Sequence, residues 1–112
     1  MTWSEIVKLA KKYPAVTESV SYGEPSLKVG SKLLTRYREQ DNSLVILDVP
    51  SQERELLIEA APEIFFLEPH YKPHDIVLVR LDNIAPKEVE NFLERRWRNS
   101  ATKKAIRAFD NI

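Results

Sequence analysis

The chain has 112 residues, with 17 basic and 17 acidic side chains, 43% hydrophobic and 30% charged residues, and no cysteine. That composition fits one domain with one hydrophobic core; it is too apolar for a disordered chain and excludes disulfides, thiolate metal sites and cysteine nucleophiles. The neutral total counts against a strongly electrostatic nucleic-acid binder, although residues 50–84 carry 3 basic and 7 acidic groups and residues 85–112 carry 7 and 4.

Thr2 and Glu5 fit a capping box, in which hydroxyl and carboxylate each satisfy an orphan N–H at a helix start. Trp3, Ile6, Val7 and Ala10 follow at helical spacing, Leu9 and Tyr13 widen the stripe, and Pro14 ends it. Glu5, Lys8, Lys11 and Lys12 interrupt this stretch, unlike a secretory leader. Apolar runs such as Leu44 to Leu47 are too short to cross a bilayer, so a cytoplasmic location without membrane association is expected. Ala15 to Glu24 reads as a linker pinned by Val16 and Val20, and Gly23-Glu24-Pro25 punctuates the start of the first strand.

From Ser26 to Val49, three β-rich runs are separated by Gly30-Ser31 and by Gln40-Asp41-Asn42, which is hairpin chemistry and predicts a three-stranded antiparallel meander. Strict alternation in the middle run puts Leu33, Thr35 and Tyr37 on one face and Lys32, Leu34, Arg36 and Arg38 on the other. Ser51 reads as the N-cap of a second helix, with Leu56, Leu57, Ala60 and Ala61 inward and Pro62 as its stop. Ile64 to Leu67 and Ile76 to Leu81 read as two further strands. Their connection, residues 68–75, is too rich in proline for a ladder and is expected to project as a hairpin loop. Pro86 starts a helix carrying Val89, Phe92, Leu93 and Trp97. Ala101, Ala105 and Phe109 continue that spacing, so the helix either runs on past Asn99-Ser100 or breaks there. The expected fold is a single α+β domain over residues 1–112. It has two layers, a five-stranded antiparallel sheet with helices on one face, in the order α-β-β-β-α-β-β-α. Its expected core includes Trp3, Ile6, Leu33, Val45, Leu47, Leu57, Val77, Val79, Phe92 and Leu93.

No catalytic constellation stands out. His70 and His74 have a spacing that presents two imidazoles to zinc on a helix, but in a proline-bracketed loop residues four apart do not share a face. There is no Gly-x-Ser-x-Gly elbow, two glycines cannot build a phosphate-cradling loop, and no carboxylate pair is singled out. An enzyme, a cofactor, a metal site and a small-molecule substrate are therefore not expected. Two basic clusters remain. Lys28, Lys32, Arg36 and Arg38 lie on the meander with Tyr37 interleaved; Arg95, Arg96 and Arg98 lie on the last helix with Lys103, Lys104 and Arg107 beyond. Either could meet phosphates or a partner protein's acids.

The segment Ser21-Tyr22-Gly23-Glu24-Pro25-Ser26-Leu27-Lys28-Val29-Gly30-Ser31-Lys32 resembles the opening signature of the MmcQ/YjbR family, a Gly-x-Pro before a strand with a basic residue, a short turn and a lysine. Val49 to Arg54 resembles the family's strand-to-helix junction. Pro69-His70-Tyr71, followed by Ile76 to Asp82, resembles its last hairpin. Leu27, Leu34 and Ile76 depart from it, standing where aromatics are common in the family. The resemblance implies an antiparallel sheet covered by helices, of the YjbR or secretion-chaperone-like type. It also implies a DNA-binding label attached to a "double wing" of projecting hairpins, and it brings no catalytic residues. The expected function is weak, largely non-specific binding of double-stranded DNA through Lys28, Lys32, Arg36, Tyr37, Arg38, Arg95 and Arg98. The alternative is a non-catalytic protein-interaction module or small homodimeric adaptor that pairs through a sheet edge.

Overall fold

A computed structural model describes residues 1–111. Its elements are α1 (Trp3–Ala10), β1 (Val16–Ser21), β2 (Glu24–Val29), β3 (Lys32–Arg38), β4 (Ser43–Leu47), α2 (Ser51–Ala60), β5 (Phe65–Phe66), β6 (Ile76–Arg80), α3 (Pro86–Ser100) and α4 (Lys103–Asp110). The α+β class and the antiparallel sheet are as expected. The sheet has six strands rather than five, in the order β1-β2-β3-β4-β6-β5.

The additional strand is β1, read from sequence as a linker. It pairs with β2 from Val16↔Val29 to Ser21↔Glu24 around a two-residue turn, Tyr22-Gly23, with φ of 53° and 75°. Two successive positive φ values give a turn whose twist matches the strands it joins. Gly23 adopts its value freely, whereas Tyr22 holds a conformation uncommon for a side chain of its size. The strand was hidden because it lies at the sheet edge: Thr17, Glu18 and Val20 face solvent, so no apolar alternation marks it.

The α1 cap forms as read: the Thr2 N–H donates to Glu5 Oε1 at 2.9 Å, and the Glu5 N–H donates to Thr2 Oγ1 at 3.2 Å. Helices α1 and α3 cover one sheet face. Ile6, Ala10, Tyr13, Val89, Leu93 and Trp97 are buried there against Leu27, Val29, Leu34, Leu44, Ile46, Val77 and Val79. The Trp97 indole N–H reaches the Pro14 carbonyl at 2.8 Å, so the largest core ring buries no unmatched donor. The last helical stretch breaks. Ala101 ends α3, and Thr102 caps α4 by accepting the Ala105 N–H at 3.1 Å. In α2, Ser51 is the first helical residue and Pro50 the cap, Leu56 is exposed, and the buried residue is Arg54.

A β-bulge overturns the strict alternation of β3. Leu27 pairs with Thr35, but Lys28 pairs with Leu33, so Leu34 is the additional residue. Leu34 therefore joins Thr35 on the helix side and is fully buried, whereas Leu33 is only half-buried. Beyond the bulge the parity inverts. Lys32 is in register with the core residue Val29, while Arg36 and Arg38 stay on the far face. The Arg96 Nε–H donates to the Leu33 carbonyl at 2.8 Å, tying α3 to the irregular stretch. Of the expected core, Ile6, Val45, Val77, Val79, Phe92 and Leu93 are buried, and Trp3, Leu33, Leu47 and Leu57 are half-buried.

Leu34→Ala should destabilise the chain by about 2–5 kcal/mol and Leu33→Ala by clearly less, read from urea midpoints at constant slope. The reverse order would mean that strict alternation holds and the bulge is misplaced.

Candidate functional site

Among the described residues, no helix lies across the far face of the sheet. On it, Arg36 pairs across to Val45 and Leu78, and Arg38 to Ser43 and Arg80. Residues 68–75 were expected to project. Instead they fold over this face, with a 3₁₀ turn at Pro69–Tyr71. Tyr71 is buried against Val45 and Leu78 in a small second core rimmed by Leu47, Phe66, Leu67 and Ile76. A loop laid on a sheet takes its carbonyls out of water, and they need donors. Arg54 supplies them: from α2 its guanidinium reaches His74 O at 2.7 Å, Ile76 O at 3.0 Å and Lys72 O at 3.2 Å. The sequence offered no sign of this role beyond a lone arginine early in a helix.

Arg36 and Arg38 lie two residues apart on this face, and their surroundings differ. Arg38 Nη2 stands 2.7 Å from Glu68 Oε1 and 3.0 Å from Asp41 Oδ2. Burial acts to lower the Arg38 pKa, but the Glu68 hydrogen bond and the two carboxylates outweigh it and raise the value. The same bond holds the Glu68 carboxyl below its usual range. Arg36 is 8% exposed, and its one aligned bond runs from Nη2 to the neutral Tyr71 hydroxyl at 2.5 Å. Its Nε is buried without a hydrogen-bond partner; the nearest carboxylate, Glu24, lies 3.4 Å away and out of line.

Beside Arg36 a cleft of about 440 Å³ opens between the β1–β2 turn and the covering loop, lined by Tyr22, Arg36, His70, Tyr71, His74 and Ile76. The Arg36 guanidinium carbon lies 5.1 Å from the Tyr22 ring centroid and 6.0 Å from that of Tyr71. Tyr22 is 89% exposed, unusual for an aromatic ring.

The residues expected to form one cationic surface are dispersed. Lys28 is half-exposed, and Lys32 lines a separate hollow with Ser100, Ala101 and Thr102. Tyr37 stacks on Trp3 at 5.5 Å and donates its hydroxyl to Asn42. Arg95 makes a two-pronged pair with Glu53 at 2.8 and 3.0 Å, and Arg96 contacts Asp48 at 3.1 Å. Arg98 bonds to Asp110 and Glu94, which hold its guanidinium above its usual value, and the Arg98 bond in turn holds the Asp110 carboxyl below its own. Every arginine of the expected surface thus has a carboxylate of this chain within ion-pair distance. The histidines lie at the cleft mouth, and among the described residues no group of three His, Asp or Glu side chains is placed to hold a metal. Among the described residues no helix is long and apolar enough to cross a membrane.

Residues 11–99 match the sequence model of the YjbR family. The chain belongs to the YjbR family. Uncharacterized proteins of Mycobacterium tuberculosis and Mycobacterium bovis are 25% identical to it over 122 aligned positions, covering 96% of this chain and 95% of each relative. No solved structure matches it. The match to the YjbR family spans β1 to the last turn of α3, and so contains the cleft and every group that covers the far face.

Acid should loosen the covering loop of this YjbR domain. A carboxyl with a depressed folded-state pKa adds stability at neutral pH that is lost as pH falls through that value. Protonating Glu68 removes a partner of Arg38, so protection factors, which correct for the intrinsic slowing of exchange in acid, should fall at residues 70–72, 74 and 75 on acidification below the ordinary carboxylate range, before they fall in α3. In Glu68→Gln the loop should exchange faster already at neutral pH and lose most of that acid step. An unchanged acid step in this variant would dissociate the loop from the Arg38–Glu68 pair.

Proposed function

We propose that this YjbR domain is a non-catalytic binding protein that takes a small ligand in the cleft between the Tyr22-Gly23 turn and the 68–75 loop. The observation that carries this reading is Arg36, a buried guanidinium with an unmatched Nε at the wall of a cleft lined by aromatic and imidazole rings. Leaving a buried donor unmatched is costly, and the same side chain lines open space, which is what a binding site requires. This departs from the expectation of macromolecular partners alone, because the cleft has the volume of small-molecule sites, roughly 300–1,000 Å³. In ¹H–¹⁵N spectra of the intact chain screened against fragments of mixed charge, shifted amides should concentrate at residues 22–24, 36 and 70–76. Shifts scattered over the sheet, or none, would remove the reading.

Duplex DNA remains as a second reading, favoured by one observation. Lys103, Lys104 and Arg107 are exposed on α4, and among the described residues none has a carboxylate within ion-pair distance. Three or four phosphate contacts would give a log-affinity slope near −3 against log salt, at about 0.9 counterions each. Lys103→Gln with Lys104→Gln should flatten that slope by about two units, measured by fluorescence anisotropy with a labelled duplex. Arg36→Ala with Arg38→Ala should chiefly unfold the far face. An unchanged slope in the lysine pair, or no binding at low salt, would exclude DNA contact through α4.

A further inference from the structure

We infer that the ligand of the Arg36 cleft is a small aromatic monocarboxylate, an inference that rests on the cleft being the binding site.

The charge requirement comes from the contrast between two neighbouring arginines. Both are buried on the same face. Arg38 has two carboxylates close to its guanidinium, whereas Arg36 has one aligned acceptor, the neutral Tyr71 hydroxyl, and one carboxylate, Glu24, at 3.4 Å and out of line. A guanidinium carries five N–H donors in a planar fork suited to a carboxylate. Because the Tyr71 hydroxyl already accepts from Arg36, its own proton points elsewhere and is available to a second acceptor. An oxyanion beside Arg36 therefore meets two donors of different kinds, a cation and a phenol.

The single charge follows from the lining. Arg36 is the only Lys or Arg among the residues around the cleft, and Glu24 stands beside it. A phosphate dianion would need more cations than this and would be repelled more strongly by Glu24. A monocarboxylate can take the Arg36 fork while the half-exposed Glu24 side chain turns outward to water. Their 3.4 Å separation and poor alignment make that pair easy to part.

The aromatic body follows from the walls. Tyr22 presents its ring almost wholly to solvent at the end of a turn. Tyr71 and His70 stand edge to face at 4.9 Å on the opposite side, and Ile76 adds an apolar surface. A flat ring between Tyr22 and the loop covers both, and offset or edge-to-face contacts add to the area buried.

The test is an NMR titration of the intact chain with three probes: benzoate, benzyl alcohol and acetate. Benzoate should shift the amides of residues 22–24, 36 and 70–76 saturably, at least five times more tightly than either other probe. Tyr22→Ala, at an exposed site, should weaken benzoate at least threefold with the thermal midpoint little changed. Glu24→Gln should tighten it at least about twofold, because a partly exposed carboxylate that competes for Arg36 is removed. A merely structural role for Glu24 predicts no tightening. Arg36→Gln should abolish binding; if that variant does not fold, the Tyr22 and Glu24 variants decide the matter. Equal affinity for benzyl alcohol, or no tightening in Glu24→Gln, would overturn the carboxylate while leaving the cleft as a binding site. Acetate equal to benzoate would overturn the aromatic body. Failure of all three probes to move these amides would overturn both inferences.

Discussion

A sheet has two faces, and this chain lays its long helices across only one. The rest of the structure depends on how the other face is closed. A loop is a poor cover, because its backbone groups lose water without gaining a ladder. Arg54 resolves that difficulty by projecting from α2 and donating to two loop carbonyls, Lys72 and His74, and to that of Ile76 at the start of β6, leaving it 4% exposed. Its charge is solvated by carbonyl dipoles in place of a carboxylate. Arg38 then fixes the start of the loop through Glu68, and Tyr71 fills the gap between them. Arg36 and Arg38, which looked like part of a phosphate-binding surface, are thereby among the side chains that fasten the second layer.

The same arrangement explains how a chain of neutral total charge uses its cations. Six of the eight arginines are engaged within the chain: Arg95 and Arg96 bind α3 to the β4–α2 junction, Arg98 joins α3 to α4, and Arg36, Arg38 and Arg54 serve the far face. Lys103 and Lys104 stay in water on α4, with Arg107 beside them. The division suits the two side chains, since a planar, weakly hydrated guanidinium tolerates burial and makes several directed bonds where an ammonium would not. Counting basic residues along the sequence treats them alike and so overstates the free positive surface.

The helix-side layer was largely legible in the sequence. Trp3 to Ala10, the Gly30-Ser31 hairpin and the Val89–Trp97 stripe follow period and turn chemistry that tertiary packing does not override. Three features were hidden, each for its own reason. β1 is an edge strand with polar faces, and its one local signal was the Tyr22-Gly23 turn. The Leu34 bulge changes parity inside an unbroken β-rich run, and nothing in Lys32-Leu33-Leu34-Thr35 says which leucine is the additional one. The fold of residues 68–75 depends on Arg54, 14 or more positions away, and on Arg38, 30 positions from Glu68. The cleft was illegible for the same reason: Tyr22, Arg36 and Tyr71 are brought together only when the loop is laid down.

The position of the cleft follows from that construction. The covering loop closes the far face over β4 and β6, where Val45 and Leu78 anchor Tyr71, and it ends against β3. Arg36 stands at that margin. Its outer neighbour β2 brings Glu24 and the adjoining turn, which rises as the only other wall, through Tyr22. The side chain consequently lines the cleft while its buried Nε has only the out-of-line Glu24 carboxylate near it. One more loop carboxylate near Tyr71 would have completed it as Glu68 completes Arg38. Its absence costs the free domain an unmatched buried donor, and a bound oxyanion would recover that cost. In the reading we propose, a neutral ligand of the same shape would fill the space without answering the cation, so selectivity for charge would rest on the same residue that holds the loop.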